Sequence, residues 1–327
     1  MNKKLLDSIL GKKQELDRHR PLPPSMVRKL EEEFLVAWTY NSNAIEGNTL
    51  TLQETEIVLN SGVTIGGKTV NEHFEVINHK NGIDFVKSLV SKKENVTEKT
   101  IKQLHALILQ SIDDTEAGSY RRQNVRILGA RHIPPQSVKI PRLMSEFIQW
   151  FYKNEYSMPI PELVSGIHYK LVMIHPFIDG NGRVARLLMN LILMKHGYPP
   201  AIILKVDRKR YYRVLNEANI GKADFYEDFI GRSIERSLIL YLNSIEPDQA
   251  EEKMFITLRE ASKYCDYSAE YLSLLARKGK LAAVKMNNKD WMTTQDALEE
   301  YTRTKRDKKH NKIMNDTPKS EVKFSIT

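Results

Sequence analysis

The stretch His175-Pro176-Phe177-Ile178-Asp179-Gly180-Asn181-Gly182-Arg183-Val184-Ala185-Arg186 decides the reading of this chain. Gly180 and Gly182 flank Asn181, so the backbone can turn tightly and aim several N–H groups at one point. The apolar run Val184, Leu187, Leu188, Leu191, Ile192 follows at helical spacing. The glycine loop therefore sits at a helix N-terminus, where free N–H groups and the dipole favour an anion. Arg183 and Arg186 share one face of the first turns. Two cations at the positive end of a helix are unfavourable unless an anion receives them, and a polyphosphate meets that demand. Asp179 stands just before the cradle, where a phosphate-bridging Mg²⁺ would need a carboxylate. His175 is the only side chain of the loop that exchanges a proton near neutral pH. Taken singly, a His before a Pro and a Gly-Asn-Gly turn are ordinary structural features. An EF-hand reading fails: with Asp179 as the first loop position, Val184 replaces the required Gly and Asn190 the required Glu.

These residues resemble the signature of Fic-domain proteins, His-x-Phe-x-Asp/Glu-Gly-Asn-Gly-Arg-x-x-Arg, with every specified position filled. The resemblance implies a mainly α fold, a helical core with a short β-hairpin flap. It implies transfer of AMP from ATP to a Ser, Thr or Tyr hydroxyl of a protein target, or of the chain itself, with pyrophosphate leaving. His175 would be the general base and Asp179 the Mg²⁺ ligand. Gly180, Asn181 and Gly182 would cradle the phosphates, and Arg183 and Arg186 would hold the outer ones. Upstream, Ser42-Asn43-Ala44-Ile45-Glu46-Gly47-Asn48 resembles the family's inhibitory motif, Ser/Thr-x-x-x-Glu-Gly/Asn. The resemblance pairs Glu46 with Arg186. A carboxylate there competes with phosphate for one guanidinium and adds negative charge beside a polyanion. The plainer reading makes Glu46 a solvated helix end and Gly47 its C-cap. Glu46 is also implied in removing AMP, by positioning water. The inhibitory pairing is open to an arrangement between chains, so a homodimer is one expectation.

The composition fits this picture. The chain has 327 residues, 41% of them hydrophobic, enough for one large or two modest domains. A single cysteine, Cys265, excludes a disulfide framework and suits a reducing compartment, hence a cytoplasmic setting. No apolar run reaches membrane-spanning length. The charges at Asp7, Lys12, Lys13, Glu15 and Asp17 predict that the N-terminus is not a secretory leader. The net charge of +9 points to an acidic partner, although part of the excess lies near the C-terminus.

Most of the chain reads as helix. Ser25 is a candidate cap for a helix through Glu32, Phe34, Leu35 and Trp38. Thr51-Leu52-Gln53-Glu54 and Thr69-Val70-Asn71-Glu72 are capping-box patterns. Thr97 heads a helix with Ile101, Leu104, His105 and Ile108 on its buried side, His105 reading as a core histidine rather than a ligand. Residues 139–154, 161–174, 207–219 and 222–244 supply further helices. Between Gly118 and Gln136 the helical pattern breaks, with strand formers Val125, Ile127 and Leu128. Gly118-Ser119-Tyr120-Arg121 and this segment resemble the family's flap, which would hold a target by strand addition. Tyr211 and Tyr212 fall where the family often places an aromatic residue by the nucleotide, and Tyr212 is the candidate.

The predicted organisation is an N-terminal helical region with the inhibitory motif (1–96), a catalytic core (97–245), a polar linker (246–253), a small module (254–303) and a basic disordered tail (304–327). The module, with Thr257 and Ser268 as caps and a strand-like Ala282 to Trp291, resembles a winged helix-turn-helix of the excisionase or MerR type. DNA is thereby one expected partner, with Arg277, Lys278, Lys280 and Lys285 facing phosphates. Two other readings stand beside AMP transfer: a DNA-binding regulator that senses nucleotide or modifies itself, and transfer from another donor such as UTP.

Overall fold

The computed structural model describes residues 1–127, 132–245 and, with short gaps at 278–280, 282, 287–289, 295–296 and 299–300, residues 256–302. The chain divides into two compact units, Met1–Ile245 and Glu246–Thr327. The first consists of helices α1 (Lys3–Arg18), α2 (Pro24–Glu46), α3 (Leu52–Ser61), α4 (Val70–Ser91), α5 (Glu98–Leu109), α6 (Ile140–Asn154), α7 (Ile160–Ile174), α8 (Asn181–Lys195), α9 (Arg208–Ala218) and α10 (Ala223–Ile245).

The helix starts follow local chemistry. Thr51, Thr69 and Thr97 each close a capping box, each accepting from the backbone N–H three residues on. Ser25 does not cap α2. The helix begins at Pro24, with Pro23 before it and no side-chain cap; a proline at the first position pre-sets φ, and its missing N–H would have had no partner inside the helix. Helix α1 falls in the expected N-terminal helical region, although charges interrupt its apolar run and the sequence sets no bounds for it. Leu5, Ile9 and Leu16 nevertheless fall on one side, Ile9 and Leu16 are fully buried, and α1 packs along α10.

Helix α8 is central. From Arg183 to Leu193 every residue is buried, and α2, α4, α5 and α7 pack around it. A helix apolar nearly all round is stable only in such a position. Its first turn is polar, so the signature arginines enter the core at the junction of α2, α4 and α8.

The expected flap lacks a hydrogen-bonded ladder in its described part. Its arms are tied by side chains: Ser137 N donates to Asn124 Oδ1 at 2.9 Å and Ser137 Oγ to the Arg122 carbonyl at 2.9 Å. Residues 128–131 lie outside the described residues.

The second unit has β1 (Ile256–Thr257), α11 (Leu258–Ala261), α12 (Ala269–Arg277), β2 (Ala283–Met286) and β3 (Asp290–Thr293). The sheet is antiparallel, in order β1-β3-β2, with Val284 opposite Met292. The stretch expected as one strand-like segment is thus two paired strands. Thr257 closes a capping box with Glu260, and Ser268 Oγ accepts from Tyr271 N at 3.3 Å. Leu258, Leu272, Leu275 and Leu298 form a core of the unit's own. The linker (246–253), Lys278, Lys280 and the tail lie outside the described residues, as does the side chain of Lys285. Among the described residues no helix is long and apolar enough to cross a membrane.

Candidate active site

The site forms where α7 ends and α8 begins. His175 is the C-cap of α7 in the left-handed region (φ 49°, ψ 58°), a conformation rare for a non-glycine residue but more accessible to His than to most. Gly180, the N-cap of α8, is left-handed too (φ 73°), and a Cβ there would press on Ile108 and His105. Asn181 spends its side chain on closing the loop: Oδ1 accepts from Phe177 N at 3.0 Å and Nδ2 donates to Phe177 O at 2.9 Å. The backbone of the cradle is therefore fixed, and any part Asn181 plays toward a ligand falls to its main chain.

Two residues outside the signature hold this loop. Arg121 is buried and donates to three carbonyls, His175 O at 2.8 Å, Gln123 O at 2.8 Å and Pro135 O at 2.6 Å. It ties both arms of the flap segment to the backbone of His175. His105 is buried as expected, but it is more than filler. Its Nδ1 accepts from Gly118 N at 2.9 Å, so Nε2 carries the proton and donates to Asp179 O at 3.1 Å. Its ring stacks on Phe177 at 3.7 Å. Replacing His105 with Leu strands the Gly118 N–H and the Asp179 carbonyl, so an expected loss of about 2–3 kcal/mol should appear in denaturant unfolding.

Both signature arginines are buried, each with 2% side-chain exposure, and both are engaged by the protein's own carboxylates. Arg186 Nη2 lies 2.7 Å from Glu46 Oε1. Ser42 completes the pairing, its Oγ accepting from Arg186 Nε at 2.9 Å and its carbonyl from Nη2 at 2.8 Å. Burial pulls the Arg186 pKa down, but Glu46, with Tyr211 and Tyr212, more than offsets this and leaves it raised. Arg183 Nη2 lies 2.8 Å from Asp179 Oδ2, and its Nη1 lies 3.2 Å from Glu75 Oε1. The anion demanded by two arginines at a helix N-terminus is thus met internally in this state. A Cβ on Gly182 would sit 2.2 Å from Glu46 Oε1, so only glycine at 182 lets the glutamate reach its arginine.

Glu46 is neither a free helix end nor fully enclosed. Gly47 does cap α2, as the plainer reading expects, while the Glu46 side chain is 30% exposed. Tyr212 Oη approaches Glu46 Oε2 at 3.5 Å, and the Arg208 guanidinium lies over the Tyr212 ring. Arg208 Nε also donates to Ile45 O at 2.5 Å, a cation placed on the C-terminal end of the motif helix. Tyr211 instead points into the core, 3.2 Å from His168 Nε2.

His175 Nδ1 is buried, and burial lowers the ring's pKa to about 4, opposed in part by a backbone contact to Val172. The imidazole is neutral at physiological pH, the state a base requires. Four more histidines are shifted toward the neutral form by burial: His105 at about 4, His168 at about 3, His79 well below its usual value, and His196 below it. For each, the folded state binds its proton less readily than the unfolded chain. This stability is present above about pH 6.5 and is lost as pH falls below it. Glu75, pushed up by burial, acts in the opposite sense, but it is one group against five. The thermal midpoint should therefore drop between pH 7 and pH 5, and an unchanged midpoint would contradict the assignment.

A metal ion would have to draw most of its ligands from a substrate, because no group of three His, Cys, Asp or Glu side chains among the described residues could hold one. Asp179 is 65% exposed at the mouth of the cradle. One exposed carboxylate beside a phosphate site fits Mg²⁺, which takes one or two carboxylates plus phosphate oxygens and water.

Comparison with known proteins agrees with the geometry. Residues 95–193 match the Fic/DOC family. A protein adenylyltransferase Fic from Drosophila willistoni is 39% identical over 220 residues, which is 67% of this chain and 44% of that protein. The solved structure of Fic-1 (residues 134–508) from C. elegans superposes with a TM-score of 0.70 at 31% identity, covering 75% of this chain and 73% of that one. A Fic-domain-containing signaling protein from Bacteroides thetaiotaomicron gives 0.68 at 27% identity, over 74% and 98%. The chain belongs to the Fic/DOC family. It spans about half the length of the curated relatives it matches.

Proposed function

We propose that the chain is a protein adenylyltransferase that moves AMP from ATP to a hydroxyl of a Ser, Thr or Tyr on a protein, and that Glu46 restrains it. The observation that carries this reading is the pair of buried arginines at the head of α8, countered only by carboxylates and set beside a neutral His175. Relatives named for this activity support it. In the reaction the target hydroxyl oxygen attacks the α-phosphorus of ATP. The bond from that phosphorus to the pyrophosphate breaks, pyrophosphate leaves, and the hydroxyl proton passes to His175. With Nδ1 enclosed, Nε2 is the nitrogen that takes it. The backbone of Gly180, Asn181 and Gly182 receives phosphate oxygens, and Arg183 and Arg186 hold the outer phosphates. Tyr212 lines the nucleotide side. Asp179 would hold Mg²⁺, which when bound offsets phosphate charge.

The donor is tested by thermal protection of a Glu46→Gly protein with ATP, UTP, GTP or CTP at equal concentration. The expected result is the largest rise in midpoint with ATP. Equal rises, or a larger one with UTP, would assign another donor.

A second reading concerns residues 254–303. Among the described residues, helices α11 and α12 with an antiparallel three-stranded sheet support a winged helix-turn-helix that binds DNA through α12. A gel shift of the full chain on mixed duplex DNA at low salt should show a complex that Arg277→Glu weakens. No complex would leave the module as a protein-docking element.

A further inference from the structure

Arg183 is held by two carboxylates, and only one of them belongs to the signature. Asp179 comes from the loop itself. Glu75 comes from α4 and is bonded on both sides. Its Oε1 faces Arg183 Nη1 at 3.2 Å, and its Oε2 accepts from Asn48 Nδ2 at 2.8 Å. Asn48 is anchored in turn, since its Nδ2 also donates to Glu72 O at 3.0 Å. The carboxylate of Glu75 is therefore fixed in place, whereas that of Asp179 is largely exposed and has one described partner, Arg183.

This asymmetry has a physical consequence. A guanidinium as buried as Arg183 needs a counter-charge, because removing the partner of a buried ion is costly. If Asp179 were its only carboxylate, turning Asp179 toward a cation would strand Arg183. With Glu75 in place, Arg183 keeps a partner whichever way Asp179 turns.

We propose that Glu75 is a positioning residue which holds Arg183 so that Asp179 can leave it for the Mg²⁺ that accompanies the nucleotide. The proposal rests on the ATP reading above. Glu75 touches neither nucleotide nor target in it; it acts through Arg183 and Asp179. Partners of this kind behind a metal-binding carboxylate commonly change metal affinity by about 10- to 100-fold when removed.

The test is a binding measurement in the Glu46→Gly background, with Glu75 intact or changed to Gln. Binding of ATP is followed by thermal protection or calorimetry, first without divalent metal and then across a Mg²⁺ titration. The Gln variant keeps size and the Asn48 contact, and its unfolding midpoint without nucleotide reports whether it folds. The expected result is that Glu75→Gln leaves Mg²⁺-free ATP binding within about threefold. The Mg²⁺ concentration giving half-maximal protection rises by about tenfold or more. A second substitution, Glu75→Asp, shortens the reach but keeps the charge, and should recover part of the shift. An unchanged Mg²⁺ midpoint, or an equal loss with and without Mg²⁺, would overturn the proposal and leave Glu75 a purely structural residue. Failure of the ATP reading looks different: the parent Glu46→Gly protein itself would show no Mg²⁺-dependent ATP binding.

Discussion

Replacing Glu46 with Gly is expected to raise AMP transfer by roughly 10- to 150-fold, the factor equivalent to about 1.5–3 kcal/mol for a charge-assisted hydrogen bond. The glutamate lies 2.7 Å from the guanidinium that accepts an outer phosphate in the proposed reaction, and its charge would repel the same polyanion. Removing it frees Arg186, while Ser42 still holds that side chain through two hydrogen bonds in a usable geometry. The gain carries a structural cost. Arg186 is buried, and losing its carboxylate should lower the stability of the nucleotide-free protein by about 1–2 kcal/mol. That is less than for a fully enclosed pair, since Glu46 is 30% exposed. ATP should restore that loss. The paired measurement is therefore AMP incorporation together with the thermal midpoint with and without ATP. A Glu46→Gly protein that is neither more active nor less stable alone would contradict the pairing.

The second large effect is at His175. Substitution by Ala in the active background should reduce transfer by about 10²- to 10⁴-fold, the usual contribution of a general base, while ATP protection stays intact. Because the residue sits at φ 49°, His175→Asn is the companion variant, tolerating left-handed backbone better than Ala. The pH profile separates a base from a structural histidine. Burial holds the ring near pKa 4, so the parent's kcat/KM should stay flat from neutral pH down to about 5. It should then fall as the ring protonates. In the variants that acid limb should vanish along with most of the rate. A limb that persists without the imidazole would assign the titration to another group.

The parts of this account that were legible in sequence are those fixed by local rules. The Thr51 and Thr69 capping boxes, the Thr97 cap and the Gly180 turn depend on residues within a few positions of each other, and each appears where its pattern stands. The Glu46–Arg186 pair lies far apart in sequence and became visible only through family resemblance. Its geometry belongs to the packing of α2 on α8. Arg121 stands in the Gly118–Arg121 pattern, which gives no role for its side chain, and Glu75 and Arg208 carry no sequence signal of theirs. Glu75 and Arg208 act through partners distant in the chain, and a charged residue on an amphipathic helix reads as solvated until that partner is placed. His105 was recognised as core from its helical spacing. Its two backbone hydrogen bonds, to Gly118 and Asp179, depend on where α5 meets the loop, which periodicity does not encode. The bounds of helix α1 are not legible in sequence, because its charges mask an apolar face that packs on α10.

The most direct test of the central claim is incorporation of labelled α-phosphate from ATP with Mg²⁺, comparing the parent chain, Glu46→Gly and Glu46→Gly/His175→Ala. Weak labelling of the parent and strong self-labelling of the single variant are expected, with labelling of the double about 10²- to 10⁴-fold below the single variant. No labelling in any of the three, with all of them folded, would contradict AMP transfer by this site.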